Sequence, residues 1–378
     1  MEKTKKRVIH VLTDKNIGGA GRWLLNYLKF HNGDLFDVMV VVPSDSLLKE
    51  PLKNLKFGGI IDICDMDEKS LSFNDIAKFK KIFKDYKPDI VHTHASLSAR
   101  IAAKISGVKY VINTKHCLEN PTNNTVKRIL NRLINKMFSD KITAVSKAVE
   151  KSMLEANISE KQIATIYNGI EIFNRLPSEE INIIKAKYGI KSEDAVVGIA
   201  ARLEAVKDIS TFIKAAKEVS DRRNKSNRPV KFVIAGSGSL ENQLKAEVNA
   251  LGLDDEVIFT GFVKDIERLM SVFDINVITS IQEALCISII EGMGMGIPAV
   301  GTNSGGVDEV ILDNVTGKLV KCRDYKALAS AITDILDDKS LYELYSKNSM
   351  EHIKDKFLAE EMTRKIEQLY TLKRGENK

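Results

Sequence analysis

The chain has 378 residues, 44% hydrophobic and 29% charged. That is too apolar for disorder and too long for one core, since single cores stop growing near about 250–300 residues. Its four cysteines, Cys64, Cys117, Cys286 and Cys322, make no CxxC pair and no zinc-knuckle spacing, so they read as thiols in a reducing compartment. Net charge is +6 but uneven: residues 1–180 carry 29 Lys and Arg against 21 Asp and Glu, the remainder 28 against 30. A basic first half suits an anionic partner, such as a phosphorylated acceptor or a membrane surface, or is simply a solvated lysine-rich face.

Basic residues at the start precede only a short apolar run that ends at Asp14, which predicts a first strand, Val8–Leu12, and not a leader. A glycine-rich turn follows, then a helix from Arg22. Val38–Val42, closed by Pro43, and Ile60–Ile63 read as strands. Asp75–Tyr86 reads as an amphipathic helix ended by Lys87-Pro88. Ile90–His92, Tyr110–Asn113, Lys141–Val145 and Gln162–Ile166 complete a first sheet, and a linker falls at Asn168–Ser178. A second series begins at Ala195–Ala200. It continues through Lys231–Ala235, Val257–Thr260, Ile275–Ile278, Ala299–Gly301 and Gly317–Val320, and the rest is helical. Alternation of short β-branched runs with helices predicts an α/β protein with two Rossmann-like, doubly wound parallel sheets. The domains are expected at 1–175 and 180–357. No stretch approaches about 18–20 uncharged apolar residues, so no bilayer span is predicted. The expectation is a cytoplasmic protein, soluble or peripheral at the inner face of the membrane.

Asn124–Phe138 is a separate case. Val126, Ile129, Leu130, Leu133, Ile134, Met137 and Phe138 follow helical spacing, with Lys127, Arg128, Arg132 and Lys136 on other faces. The stripe is expected to bury itself in the first domain's core; the alternative is an anionic membrane surface.

Ligands of doubly wound sheets bind beyond the carboxyl ends of the strands, so chemistry is sought in those loops. The densest signal runs from Thr279 to Pro298. A strand ends near Ile278, Glu283 stands in the loop, a helix begins near Ile287, and Glu291 lies in its first turns. Free amides near Leu285, Cys286, Ile287 and Ser288 can hold a phosphate. Carboxylates at 283 and 291 suit hydroxyls of a donor sugar and of a ribose, because charged acceptors bond strongly. Taken alone, Glu291 could merely compensate the helix dipole. Earlier, Arg202 and Lys207 follow the Ala195–Ala200 strand, where cations stabilise a departing diphosphate. Gly18-Gly19-Ala-Gly21 lets backbone approach a ligand or is an ordinary tight turn. Neither it nor Gly236-Ser-Gly238 has the dinucleotide-binding spacing, which disfavours an NAD enzyme.

At these residues the chain resembles family 4 of the retaining GT-B glycosyltransferases. The resemblance rests on Glu283-x7-Glu291, Gly296-Ile-Pro298 and the Arg202/Lys207 pair, and it extends over nearly the whole chain, densest in residues 195–320. Ala201 stands where the family usually has Gly, and Tyr167 where it often has Pro. The resemblance implies a GT-B fold facing a central cleft, with residues 358–378 crossing back to the first domain as a helix. It gives Arg202 and Lys207 the departing phosphates, Glu283 the donor sugar and Glu291 the ribose. Gly18 and Gly19 would approach donor and acceptor, and backbone near Gly261, Phe262 and Val263 would read the base. His116 would lie under the donor sugar, and His94 matches a second family histidine on the acceptor side; His92 is left as structural.

The implied reaction moves a hexose or N-acetylhexosamine from a nucleoside-diphosphate sugar, commonly UDP, to a hydroxyl of a sugar, lipid-linked or other acceptor. It would proceed through an oxocarbenium-like state with retention, the departing phosphate serving as base, with domain closure excluding water. No cofactor or metal is expected, and no nucleic acid partner. Asp65-Met-Asp67 looks like the metal-binding motif of the other glycosyltransferase fold but sits in a charged stretch of the first domain. The other readings are a sugar-nucleotide epimerase, whose catalytic carboxylates are not in view, a phosphorylase, which needs a longer chain and a pyridoxal lysine, and an inactive partner subunit. Joint retention of Glu283, Glu291, Arg202, Lys207 and His116 opposes the last.

Overall fold

The computed structural model of the protein describes residues 5–63, 66, 70–119, 124–223 and 229–371. Asp65 and Asp67 lie outside the described residues, as does Cys64. The chain forms two compact units, Met1–Glu171 with Leu358–Lys378, and Ile172–Phe357.

The first unit holds strands β1 (Lys6–Leu12), β2 (Phe36–Pro43), β3 (Gly59–Ile63), β4 (Ile90–His94), β5 (Tyr110–Lys115), β6 (Lys141–Ala144) and β7 (Ile163–Thr165). They lie in the order β3-β2-β1-β4-β5-β6-β7, and every pairing is parallel. The second unit holds β8 (Ala195–Ala200), β9 (Val230–Ala235), β10 (Val257–Gly261), β11 (Ile275–Ile278), β12 (Ala299–Thr302) and β13 (Gly317–Val320), in the order β10-β9-β8-β11-β12-β13 and again all parallel. Strand runs such as Ala195–Ala200 are buried almost throughout, which is what a parallel sheet covered on both faces by crossover helices requires. Each sheet reverses its strand order once, between β1 and β4 and between β8 and β11. Loops leaving the two central strands there diverge to opposite faces and open a crevice.

Predicted and observed elements differ mainly at their ends. The first helix begins at Gly19, not Arg22, with Gly18 at its N-cap. Gly21 therefore lies inside it, where a Cβ would stand 2.9 Å from Leu48. β4 runs on to His94, so both His92 and His94 belong to the strand. The helix Ala359–Thr371 joins the first unit. Met362, Ile366 and Tyr370 enter its core, the Lys6 ammonium donates to the Tyr370 carbonyl (2.7 Å), and the Ala359 amide to the Ile170 carbonyl (2.9 Å).

One element overturns the sequence reading. In the helix Thr125–Phe138 five residues of the apolar stripe expected in the core, Val126, Ile129, Leu130, Leu133 and Met137, face outward, and only Ile134 and Phe138 are half-buried. Its inner side is polar: the Arg100 guanidinium, itself only 4% exposed, donates to Asn135 Oδ1 (2.9 Å) and Ser139 Oγ (3.0 Å). Asn131 Nδ2 donates to the Ala156 carbonyl (3.1 Å), and Gln162 Nε2 to the Asn135 and Ser139 carbonyls. A buried guanidinium without acceptors costs more than a few exposed methyl groups, so Arg100 dictates which face turns inward. Burial pulls the Arg100 pKa down to about 10, which leaves it charged at neutral pH.

Candidate functional site

Each unit carries a polar cluster at its own strand-order reversal. In the second, β8 ends at Ala200 and a loop leads through the short turn Ala205–Lys207, while β11 ends at Ile278 and the loop Thr279–Cys286 follows. The two loops are tied together: Thr279 Oγ1 donates to the Lys207 carbonyl (2.8 Å) and the Ile281 amide to the Val206 carbonyl (2.9 Å). This brings the Lys207 ammonium into an ion pair with Glu283 Oε2, to which Ser280 Oγ also donates (3.1 Å). Both side chains are largely buried, at 18% and 12% exposure, and charges in such a place persist because each has its partner.

The Glu283 backbone is fixed from behind. Its carbonyl accepts the Gly306 amide (3.0 Å), and Gly305, at φ +54°, packs so close that a Cβ would stand 1.8 Å from that carbonyl. Only glycine serves there. Thr302 and Ser304 hydroxyls both donate to the Ser280 carbonyl at 2.7 Å. Ser280, Thr302, Ser304 and Gly305 thus support the Glu283 loop from behind.

The helix Ile287–Gly294 starts directly after this loop. No side chain caps it at Cys286, and the Ile289 and Ile290 amides reach back to the Cys286 carbonyl at 3.2 and 3.1 Å. Among the described residues no acceptor is bonded to the Ile287 and Ser288 amides, so the start presents first-turn donors and the positive end of the helix dipole. Asn276, buried in β11, donates to the Ser288 carbonyl (2.8 Å) and sets the helix against the sheet. Glu291 lies one turn in and is buried; Leu285 and Cys286 are buried too, and burial beside Glu283 pushes the Cys286 thiol up.

Arg202 leaves β8 on a loop clamped by the Ser237–Leu240 segment, and its side chain is exposed. The clamp depends on Gly236, at φ +140°, where a Cβ would stand 2.0 Å from the Ala201 carbonyl. At the end of β10, the Gly261 carbonyl accepts the Gly236 amide (2.9 Å), Phe262 is 70% exposed, and Val263 packs against the unit's core. Lys207 and Glu283 are thus in contact. Arg202, Glu291, Phe262 and Val263 share their sheet's carboxyl edge.

The first unit's cluster is of another kind. His116 Nε2 bonds His94 Nδ1 (2.8 Å), His94 Nε2 bonds His10 Nδ1 (3.2 Å), and His10 Nε2 bonds the Tyr370 hydroxyl (3.1 Å). The same hydroxyl bonds His92 Nδ1 (2.6 Å), and His92 Nε2 bonds Thr114 Oγ1 (2.6 Å). Trp23 packs on His94, with ring centroids 4.8 Å apart, and stacks on Tyr27. Sheet register makes the array: His10 pairs with His92 across β1 and β4, and His92 and His94 alternate onto one face. Desolvation drives the pKa of all four imidazoles down, that of His116 to about 3, and in His10, His92 and His94 neighbouring imidazoles add to the effect. Every ring is neutral at pH 7 and so has one donor and one acceptor nitrogen. His94 and His116 do meet, as part of this chain, and His92 belongs to it as well. His116 Nε2 is engaged by His94, and Nδ1 is enclosed without a hydrogen-bond partner. Gly18 and Gly19 open the helix that carries Trp23.

Among the described residues no group of three or more His, Cys, Asp or Glu is arranged to hold a metal ion, and no helix is long and apolar enough to cross a membrane.

Two family models cover most of the chain: Glycosyltransferase Family 4 over residues 17–172 and Glycosyl transferases group 1 over residues 180–352. An Escherichia coli relative is 26% identical over 97% of both chains, and is named UDP-Gal:alpha-D-GlcNAc-diphosphoundecaprenol alpha-1,3-galactosyltransferase. The N-acetyl-alpha-D-glucosaminyl L-malate synthase of Bacillus anthracis is 24% identical over 78% of this chain and 77% of its own. Among solved structures, Anabaena HepE, crystallised with UDP and glucose, superposes with a TM-score of 0.84 at 22% identity, over 97% of this chain and 99% of that one.

Proposed function

Because the chain belongs to the family 4, group 1 glycosyltransferases and has their GT-B fold, we propose that it is a retaining enzyme that moves a hexose or N-acetylhexosamine from a UDP sugar to a hydroxyl of a sugar or lipid-linked acceptor in surface-glycan assembly. That it is a glycosyltransferase follows from the family. Donor, stereochemistry and acceptor are our reading. The observation that carries it is the cluster at the β8/β11 reversal: the Lys207–Glu283 ion pair with Ser280, beside the uncapped helix start at Cys286. An ammonium and free amides suit a diphosphate, and a fixed carboxylate beside them suits sugar hydroxyls.

In this reading Lys207, Arg202 and the Ile287 and Ser288 amides take the donor's diphosphate, and Glu283, released from part of its pairing, accepts from sugar hydroxyls. Glu291 takes the ribose hydroxyls, and backbone near Phe262 and Val263 the base. The bond from the anomeric carbon to the phosphate oxygen breaks, with its electron pair going to the nucleoside diphosphate. The acceptor oxygen bonds the anomeric carbon on the face just vacated, and its proton passes to the departing phosphate. The cations stabilise charge that grows only as the bond breaks, which is where they accelerate the reaction. His94 and His116 are the first unit's candidates for meeting a substrate sugar.

UDP as donor and a lipid-linked acceptor draw support from the ligand named for HepE and from the E. coli relative's name, and α-linked products of α-configured UDP sugars mean retention. The test is a thermal-shift screen of the chain with UDP, GDP, ADP, their sugar conjugates and NAD, followed by NMR of the product made with the sugar that binds. Saturating UDP raises the melting temperature by mass action, and the new linkage keeps the donor's anomeric configuration. A shift with GDP or ADP alone moves the donor, a β product sinks retention, and a shift with NAD alone sinks the reading.

A further inference from the structure

The helix Thr125–Phe138 turns its polar side to its own unit and its apolar side outward. Val126 is 73% exposed, Met137 62%, and Ile129, Leu130 and Leu133 each just over half. At about 100° per residue these five fall within a single stripe about 100° wide. Lys127 borders the stripe on one side, Arg132 and Lys136 on the other, and the helix carries no acidic residue. The orientation is built in, because Arg100, Ala156 and Gln162 hold Asn131 and Asn135 on the inner face. Apolar side chains gathered on one exposed stripe mark a surface that meets something other than water.

We propose that this helix is a membrane-docking surface, lying flat on a bilayer that contains anionic lipid. The stripe enters the boundary between headgroups and acyl chains, and Lys127, Arg132 and Lys136 along its borders meet lipid phosphates. Charge selects the occupant. A second copy packed about a two-fold axis would set these cations against their own twins, whereas an anionic lipid surface neutralises them. The inference rests on the surface-glycan reading only for its purpose, which is to meet a lipid-linked acceptor at the interface. Binding itself is measured without donor or acceptor.

The experiment sediments the full chain with vesicles of phosphatidylcholine alone and of phosphatidylcholine mixed with phosphatidylglycerol, at low and high salt. The chain partitions onto the mixed vesicles and releases as salt rises. Leu130→Ser with Met137→Ser lowers partitioning onto mixed vesicles by about tenfold or more, and Arg132→Glu with Lys136→Glu does the same and abolishes the preference for anionic lipid. All four positions are exposed, so circular dichroism and melting temperature stay as in the parent chain. Equal partitioning of parent and variants overturns the proposal. So does light scattering that finds a dimer which the two serines convert to monomers.

Discussion

Both sheets reverse their strand order once, and the two reversals are furnished in opposite ways. At β1/β4 the chain places four imidazoles and a phenol in a hydrogen-bonded row with Trp23 against them, all uncharged. At β8/β11 it places an ammonium against a carboxylate on loops that water still reaches. The backbone plan is the same; the difference lies in solvent and pairing. Imidazoles in van der Waals contact cannot charge without repelling each other and losing hydration, so the row stays neutral. Lys207 and Glu283 keep their charges because each neutralises the other. The first arrangement fixes shape and hydrogen-bond direction, and the second keeps two opposite charges in place.

Acid should break this symmetry most strongly. Below about pH 6.5 an unfolded imidazole takes up a proton. His10, His92, His94 and His116 resist it while folded, His116 down to about 3. The unfolded state then binds more protons, so stability is present above about pH 6.5 and is lost as pH falls below it, by about 1.4 kcal/mol per pH unit for each ring. The second unit has only His352, half-buried, to set against them. Trp23 is the sole tryptophan and lies on the array, so its fluorescence reports the first unit alone. Its melting transition should drop by many degrees from pH 7.5 to 5.5 while the calorimetric transition of the second unit moves little. Parallel loss in both units would show that the array is not the cause.

Glu283→Gln attacks the other reversal. The amide keeps the size and loses the charge, so Lys207 loses its counter-ion and, in the proposed reading, the donor sugar loses a charged acceptor. We expect kcat/KM to fall by about 10²–10³-fold, the usual scale for removing one preorganised polar group. The Trp23-reported transition should stay put. Near-normal turnover with a donor shown to bind would remove Glu283 from the site.

Tyr370→Phe is the milder counterpart in the first unit. It deletes the one hydroxyl that joins His10 to His92 and leaves two buried ring nitrogens unmatched. Each unmatched buried group costs about 1–3 kcal/mol. The first unit's melting temperature should fall while transfer by the second unit's groups continues at a similar kcat. A collapse in kcat at unchanged stability would make the array part of the chemistry.

These contrasts were only partly legible in the sequence. The strands were, because β-branched runs buried on both faces are short and bounded. Lys207 and Glu283 were too, because their spacing fixes them on loops beyond strand ends. His10 was not: a lone histidine in a first strand carries no signal until sheet order sets β1 beside β4, where it pairs with His92. Tyr370 reaches the row across 360 positions of sequence. The inverted helix shows the limit of periodicity, which finds a stripe but not the side it faces. Asn131 and Asn135, one turn apart opposite the stripe, were the hint, and the deciding residue, Arg100, comes from a different helix.

The smallest effect sharpens the comparison by its absence. A departing nucleoside diphosphate needs positive charge at its oxygens, and glycosyltransferases can draw it from a bound divalent cation or from the chain itself. Here Arg202 and Lys207 follow β8, and the helix start at Cys286 adds oriented amides next to Glu283. If these groups supply the charge as proposed, with Lys207 freed from part of its pairing to Glu283, transfer should proceed at an unchanged rate after EDTA treatment. Loss of activity on chelation, restored by one divalent metal, would mean that these groups fall short and would turn attention to Asp65 and Asp67. Lys207→Ala separates the two cases further. If the chain supplies the charge, added Mg²⁺ leaves the crippled variant where it was, and if a metal supplies it, the variant recovers part of its rate.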